Sequence, residues 1–312
     1  MENNIRPMGA NALSKDKRDN YLDDPNYIGE CKFDGSRYVL QIDKDNKVYL
    51  TSRRESVDGS GMVDKTKNVP HIIKDIQKLK GIYSIILDGE IDIAGDKRNF
   101  KYVQGIMGSL CDRAIQLQTD NEWLIYKCFD ILEYNREDLR CKPLKLRRKI
   151  LEQILDTTEL RYIKVVEQFP DKRKLLEEEI KKGNEGIMLK NLDSIYVEGK
   201  KPSQTWYKVK RKATFDGIVK GYKLGTPGTK YEKMLGTLTI YQYLNGQLIE
   251  TSEIGGLTEE ERIEFKKRLD KGETFIVEFE AQEAYGNNRY RHPHFLRLRE
   301  DKNPSECIYG KS

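Results

Sequence analysis

Residues 30–37 read Glu-Cys-Lys-Phe-Asp-Gly-Ser-Arg, and these residue types at this spacing suit one kind of chemistry. Lys32 could present its ε-amine to an electrophilic phosphorus. An amine attacks only in its neutral form, which nearby cations or partial burial favour. The phosphate under attack would need basic side chains and a metal ion around it. The rest of the chain offers candidates for both, in a fixed order.

Each further candidate is ambiguous alone. Leu87-Asp88-Gly89-Glu90 reads by default as a turn at a strand end, and Phe129 as core. Glu185-Gly186-Ile187-Met188-Leu189-Lys190 could be half-buried sheet with a solvated Lys190. Trp206-Tyr207-Lys208-Val209-Lys210 alternates like any amphipathic strand, yet the alternation puts Lys208 and Lys210 on one face, as a pair of phosphate-facing ammonium groups requires.

The elements that must position these residues are short. Residues 1–25 are polar and read as an extended lead-in. Runs at 38–42 and 48–51 flank Asp43-Lys44-Asp45-Asn46, a hairpin signal. A helix is expected at 69–80, a strand at 82–87 running into Asp88-Gly89-Glu90, a helix near 99–109, a strand at 123–130 and a helix from Pro143 to Leu155. Residues 171–182 read as an amphipathic helix with Leu175, Leu176 and Ile180 inward, stopped by Gly183. Beyond Ala213, strands at 215–222, 235–243, 247–253 and 273–281 surround one helix at about 258–270, which suits an OB-type barrel. The domain boundary is expected near 211–214.

Composition excludes several classes. The 312 residues are 34% charged and 37% hydrophobic, with no apolar run long enough to span a membrane. The five cysteines are scattered and odd in number, without an export signal, which reads as reduced thiols in a cytosolic compartment. Three histidines without cysteine partners do not make a zinc site. Net charge is +5; residues 213–312 carry 15 Lys+Arg against 16 Asp+Glu, a balance of −1, so the positive excess lies in the remainder.

Taken together, the blocks at 32–37, 52–53, 88–90, 129–132, 185–190 and 206–210 resemble those of the covalent nucleotidyltransferases, and specifically the ATP-dependent DNA ligases. Arg291-His292-Pro293-His294-Phe295-Leu296-Arg297-Leu298-Arg299-Glu300-Asp301-Lys302 is similar to the last ligase block, ending in Arg-x-Asp-Lys. The resemblance implies an α+β chain, with an adenylation (nucleotidyltransferase) domain of antiparallel sheets and helices at 1–212 and a C-terminal OB-fold β-barrel at 213–312. It implies ATP and Mg²⁺ as cofactors and nicked double-stranded DNA as partner, with roles in DNA repair, replication and recombination. A monomeric, non-membrane protein is expected, in a bacterial cytoplasm or a virus-infected host cell.

The implied reaction has three transfers. Lys32 attacks the ATP α-phosphorus and releases pyrophosphate; AMP passes to the 5′-phosphate of a nick; the 3′-hydroxyl then seals the strand and releases AMP. By the same resemblance Glu30 reads the adenine edge, Phe129 stacks on its face and Glu90 holds the ribose hydroxyls. Arg37 and Arg53 contact ribose or phosphate, and Lys208 and Lys210 grip the α-phosphate. Glu185 holds the metal, and Asp34 assists the metal or the 3′-hydroxyl. Arg299, Asp301 and Lys302 orient the β,γ-phosphates during the first transfer only, by a hinge near 211–214.

Two departures bear on these roles. The arginine common before the Trp-x-Lys-x-Lys block is replaced by Lys200-Lys201-Pro202-Ser203, so that its contact either comes from Lys201 or is absent. The chain also begins almost at the catalytic block, like minimal phage, viral and accessory bacterial ligases, so grip on DNA would come from the two modules. The loop at 223–234, with Lys223, Lys230 and Lys233, is a candidate clamp and equally an ordinary solvated loop. An mRNA-capping guanylyltransferase and a non-catalytic DNA-binding scaffold are the other readings; Phe33 and the Glu185-Gly186 start speak against the first, and the intact charged residues against the second. From the low net charge, binding to nicked duplex is expected to be weak and to fall steeply with salt. Tight, salt-insensitive binding to intact duplex in a titration would contradict this.

Overall fold

The structure, a computed structural model, describes residues 5–13, 15–57, 59, 61–93, 100–120, 123–210, 213–281, 284–285 and 287–311. The chain divides into two compact units, Met1–Val209 and Lys210–Ser312. Of the expected hinge at 211–214, Arg211 and Lys212 lie outside the described residues, as does Asn99 at the start of the helix expected near 99–109.

In chain order the first unit runs β1 (Asn11–Ala12), α1 (Lys15–Asp23), β2 (Tyr27–Cys31), β3 (Ser36–Ile42), β4 (Val48–Glu55), β5 (Met62–Asp64), α2 (Pro70–Ile76) and β6 (Ile85–Ile93). Then follow α3 (Phe100–Gly108), α4 (Cys111–Asp120), β7 (Leu124–Tyr134), β8 (Glu137–Asp138), α5 (Leu144–Leu155), β9 (Ile163–Val165), α6 (Lys172–Lys181), β10 (Gly186–Asn191) and β11 (Trp206–Lys210). They build a small sheet, β1-β11-β10-β2, and a larger one, β5-β4-β3-β6-β7-β8, with β9 beside β7.

Period-two alternation gives each sheet two apolar faces, and that explains the layering. On β3, Tyr38, Leu40 and Ile42 pack outward against Ile72 and Ile76 of α2, Val103 and Ile106 of α3 and Leu151 of α5. Val39, on the opposite face, joins Ile86, Phe129 and Leu132 in a core shared with Trp206 of the small sheet. The outer face of the small sheet, Tyr27, Ile187 and Leu189, is covered by Leu175 and Leu176 of α6 and Leu22 of α1. Each such side chain contributes about 1.5–3 kcal/mol on burial.

Three expectations need correction. The lead-in is not extended throughout, because α1 forms there. It is polar almost all round, so no periodicity announces it. It is held instead by Leu22 under α6 and by Arg173 of α6, which reaches Asp19 at 2.9 Å and Asp23 at 2.6 Å. The helix expected at 69–80 ends at Ile76, and the strand expected at 82–87 runs from Ile85 to Ile93, so Asp88-Gly89-Glu90 lies inside a strand rather than at a turn.

The second unit contains β12 (Ala213–Leu224), β13 (Leu235–Leu244), β14 (Gln247–Ile254), α7 (Glu259–Asp270), β15 (Phe275–Ala281), β16 (Ala284–Tyr285), β17 (Arg289–Tyr290) and β18 (His294–Leu298). Five of the strands form one sheet, β14-β13-β12-β15-β18. Its two edges meet: Gly255, just past β14, bridges His294 in parallel, and the Phe295 amide donates to the Gly255 carbonyl at 2.9 Å. Bulges between Val219 and Gly221 and between Ile240 and Tyr241 supply the curvature this closure needs. Thr258 and Glu261 form a capping box at the start of α7. The result is the expected OB-type barrel.

One buried ion pair ties the larger sheet to α5. Asp130 on β7 receives Arg147 through Nε at 2.8 Å and Nη2 at 2.7 Å, both side chains being fully buried. Arg147 also donates to the carbonyls of Lys142 and Ser194. Asp130 is therefore the structural half of the Phe129-Asp130 block, fixing the strand that carries Phe129. Removing one partner strands a buried charge, so Asp130→Ala is expected to lower unfolding stability by about 3–5 kcal/mol; a urea denaturation with an unchanged midpoint would contradict this.

Candidate active site

Lys32 sits where the chain leaves the small sheet for the larger one. Its amide donates to the Gly186 carbonyl at 3.1 Å, extending the β2–β10 pairing by one residue beyond Cys31↔Ile187. That bond sets Lys32 beside the start of β10, where Glu185 precedes Gly186. The Lys32 Nζ lies 2.6 Å from Glu185 Oε2, with both side chains more than four-fifths buried. Four residues then cross to β3. Gly35 is required in the crossing, because a Cβ there would stand 2.3 Å from the Ile91 carbonyl oxygen. Its amide donates to Glu90 Oε1 at 2.9 Å.

Register explains the next group. Arg37 pairs with Glu90, and Val39 with Asp88, across β3 and β6, so these four share the face turned toward the small sheet. Asp88, fully buried, receives Arg37 through Nε at 2.9 Å and Nη2 at 2.5 Å, and accepts the Tyr196 hydroxyl at 2.6 Å. Tyr196 OH in turn accepts the Met8 amide at 2.9 Å. Between them Gly89 is held tight: a Cβ would meet Tyr126 Cζ at 2.5 Å and the Lys127 carbonyl at 2.6 Å. The Arg37 guanidinium also lies 5.2 Å from the Phe129 ring centroid. Arg53 is exposed on β4, one residue past Ser52, which pairs with Tyr38.

On the small sheet Glu30 faces Met188 across β2 and β10. Glu30 and Lys190 are each 2% exposed and 2.6 Å apart. Lys190 is therefore buried, not solvated as its block alone suggested, because a carboxylate and two aromatic rings enclose it. Trp206, Lys208 and Lys210 alternate with Tyr207 and Val209 along β11; Trp206 and Val209 are buried, and the two lysines are half-buried. Asp34 is half-buried in the crossing loop. Lys201 is exposed, its chain lying over Gly9.

Arg299, Asp301 and Lys302 lie in the second unit and form a cluster of their own. Arg299 grips Asp301 through Nε at 2.8 Å and Nη2 at 2.9 Å, and reaches Asp216 on β12 through Nη1 at 2.9 Å. Lys302 stands 3.3 Å from Glu306 and 3.6 Å from Asp216. In the loop at 223–234, Lys223 and Lys230 are ion-paired with Glu253 and Glu259, each at 2.6 Å. Exposed pairs of this kind contribute little and exchange easily.

Residues 7–210 match the family model of the ATP-dependent DNA ligase domain. The chain belongs to that family. It is 27% identical over 308 residues to a DNA ligase of Thermococcus fumicolans, covering 89% of this chain and 52% of that one. It thus spans about half the length of the curated relatives it matches. A solved structure from a structure-function study of Lig E DNA ligases superposes with a TM-score of 0.64 at 20% identity, covering 94% of this chain and 99% of that one. Another, named Pmar-Lig_PreS3, gives a TM-score of 0.70 at 19% identity, over 94% and 67%. These likenesses establish the fold: an adenylation domain followed by an OB-fold.

Family members use ATP with Mg²⁺, and the donor set here fits such an ion. Glu185 offers a hard carboxylate beside Lys32, and among the described residues no three His, Cys, Asp or Glu side chains gather into a metal cage. Mg²⁺ is typically held by one or two carboxylates, retained waters and phosphate oxygens. Asp88, Tyr196 and Lys190 were not assigned roles from the sequence. Asp88 and Lys190 lay within recognised blocks, whereas nothing local marked Tyr196.

Glu90 carries the titration of the site. Burial pushes its carboxyl up to about 7, against the opposing pull of Lys32, the Gly35 amide and Arg37. A carboxyl raised in the folded state binds more protons there than in the unfolded chain, so stability falls as pH rises from about 4.5 to about 7. Glu90→Gln removes this contribution. Relative to the variant, the ligand-free wild type is expected to lose roughly 3 kcal/mol across that window; parallel stability–pH curves would refute the assignment.

Proposed function

We propose that this protein seals 3′-OH/5′-phosphate nicks in duplex DNA through a lysyl-AMP intermediate on Lys32 and a DNA-adenylate. One observation carries the reading. The Lys32 backbone amide is held by the Gly186 carbonyl and its side-chain amine by Glu185 at 2.6 Å, in a loop whose Gly35 amide is tied to Glu90. A side chain positioned in this way suits attack on a phosphorus once Glu185 turns from the amine to a bound metal ion.

Lys32 Nζ forms a bond to the ATP α-phosphorus as the bond to the pyrophosphate oxygen breaks. Lys208 and Lys210 meet the phosphate charge that develops. Bound Mg²⁺ would add charge neutralisation at the phosphates, with Glu185 and Asp34 as its side-chain donors. Glu90 holds the ribose hydroxyls, Phe129 and Met188 flank the base, and Glu30 reads its edge. Arg37, fixed by Asp88, and the exposed Arg53 then serve the 5′-phosphate of the nick. In the second unit Arg299, Asp301 and Lys302 serve the β,γ-phosphates in the first transfer. The partner is nicked duplex DNA, the working unit a monomer and the compartment cytoplasmic; among the described residues no helix is long and apolar enough to cross a membrane.

The test is incubation with Mg²⁺ and α-labelled ATP or GTP, followed by a denaturing gel and addition of nicked DNA. Wild type is expected to take label from ATP and discharge it as the nick closes, and Lys32→Ala to take none. Label from GTP alone would move the protein to the capping enzymes. A folded wild type that takes no label would make it a binding protein on a ligase scaffold.

A further inference from the structure

Lys190 poses a problem that the reaction does not explain. A buried ammonium is costly unless it is paired and hydrogen-bonded. This one is 2% exposed, and among the described residues its Nζ is met by a single carboxylate. It sits 4.1 Å from the Phe129 ring centroid and 4.2 Å from that of Trp206, so two aromatic faces surround the cation. Among the described residues its ionic partner is Glu30, whose Oε2 lies 2.6 Å away. The other oxygen of Glu30, Oε1, accepts Gln168 Nε2 at 2.8 Å. Each carboxylate oxygen therefore has its own anchor, one from β10 and one from the segment that leads into Phe169.

The location gives the arrangement meaning. Glu30 lies two residues before Lys32 on β2, about 7 Å along the strand, and shares its face with Met188 and Lys190 of β10. A nucleotide joined to Lys32 through its α-phosphorus would lay its base along this face, toward Phe129 and Met188. A carboxylate there accepts hydrogen bonds and donates none. Adenine offers a 6-amino group as donor, whereas guanine offers a 6-carbonyl oxygen, which a fixed carboxylate repels. Selection of this kind depends on the carboxylate being unable to turn away.

We propose that Lys190 and Gln168 are positioning residues that lock the Glu30 carboxylate as an acceptor, and that this lock sets ATP over GTP. The proposal rests on nucleotide binding at Lys32 as read above, and adds the residues that make the base choice. Lys190 holds Oε2 and Gln168 holds Oε1, so the carboxylate is fixed in direction and its remaining lone pairs face the base. The aromatic pair keeps the ammonium from swinging toward solvent.

The experiment is displacement of a fluorescent ATP analogue by ATP and by GTP at equilibrium, for wild type, Lys190→Met, Lys190→Arg and Gln168→Leu, with thermal midpoints measured alongside. Lys190→Met is expected to shift the ratio of GTP to ATP affinity toward GTP by about tenfold or more. Gln168→Leu is expected to shift it the same way by less, and Lys190→Arg to restore part of the wild-type ratio. A merely structural role would weaken both nucleotides together; ratios within about twofold of wild type in Lys190→Met and Gln168→Leu would overturn the proposal. If Lys190→Met does not fold, the half-buried Gln168 decides by the same criterion. A wild type that prefers ATP in displacement yet takes no label on Lys32 would sink the sealing reaction and leave base selection standing. A wild type that labels Lys32 but binds both nucleotides equally would sink base selection alone.

Discussion

The site depends on one crossing of the chain. Residues 32–35 carry the backbone from the small sheet to the larger one, and both ends of that crossing are fixed. At one end the Lys32 amide bonds to Gly186; at the other the Gly35 amide bonds to Glu90, with no room for a side chain. A loop this short between two packed sheets has almost no freedom left. The entropy of ordering the loop that carries Lys32, the proposed nucleophile, is met by folding itself rather than at the moment of binding. The sheets can hold the loop so firmly because each buries apolar residues on both faces, and their common core includes the Phe129 and Trp206 side chains that border the site.

The polar residues behind that crossing form two buried systems of different design. Asp88 is fully satisfied: a bidentate arginine and a tyrosine hydroxyl meet it in the core. Such a network is rigid and hard to rearrange, which suits an arginine that must keep one direction. The Glu30–Lys190 pair is buried as deeply, with Gln168 on the second carboxylate oxygen. Each oxygen has one protein partner and so keeps acceptor capacity for the proposed base contact.

Much of this was legible in the sequence, for physical reasons that differ by residue. Chemistry-bearing blocks are local: Lys32, Asp34 and Arg37 fall within six residues, so their order survives any rearrangement of the packing. The strand alternation of Trp206, Lys208 and Lys210 could be read because period two is a property of the backbone. What could not be read was long-range. Tyr196 meets Asp88 across 108 residues, and Gln168 meets Glu30 across 138. The polar helix α1 was missed because its apolar contacts are only two adjacent residues, Tyr21 against Tyr27 and Tyr207 and Leu22 under α6, too few to make a helical period. Lys190 looked solvated because a lysine in an alternating strand ordinarily is; only the enclosure by Phe129, Trp206 and Glu30 reverses that.

The second unit follows a different rule. Arg299, Asp301, Lys302, Asp216 and Glu306 neutralise one another at its surface, and Asp301 is exposed. The Arg299–Asp301 pair, whose carboxylate is 67% exposed, is screened by water and salt and is worth little, whereas Arg299 and Asp216 are mostly buried. A buried pair such as Arg147–Asp130 cannot exchange partners without stranding a charge, whereas Arg299 can trade its exposed partner Asp301 for a phosphate at small cost while Asp216 anchors it. Charges that must hold still are therefore placed in the core of the first unit. Arg299, whose proposed work is confined to one transfer, instead combines a mostly buried anchor, Asp216, with an exposed and exchangeable partner, Asp301.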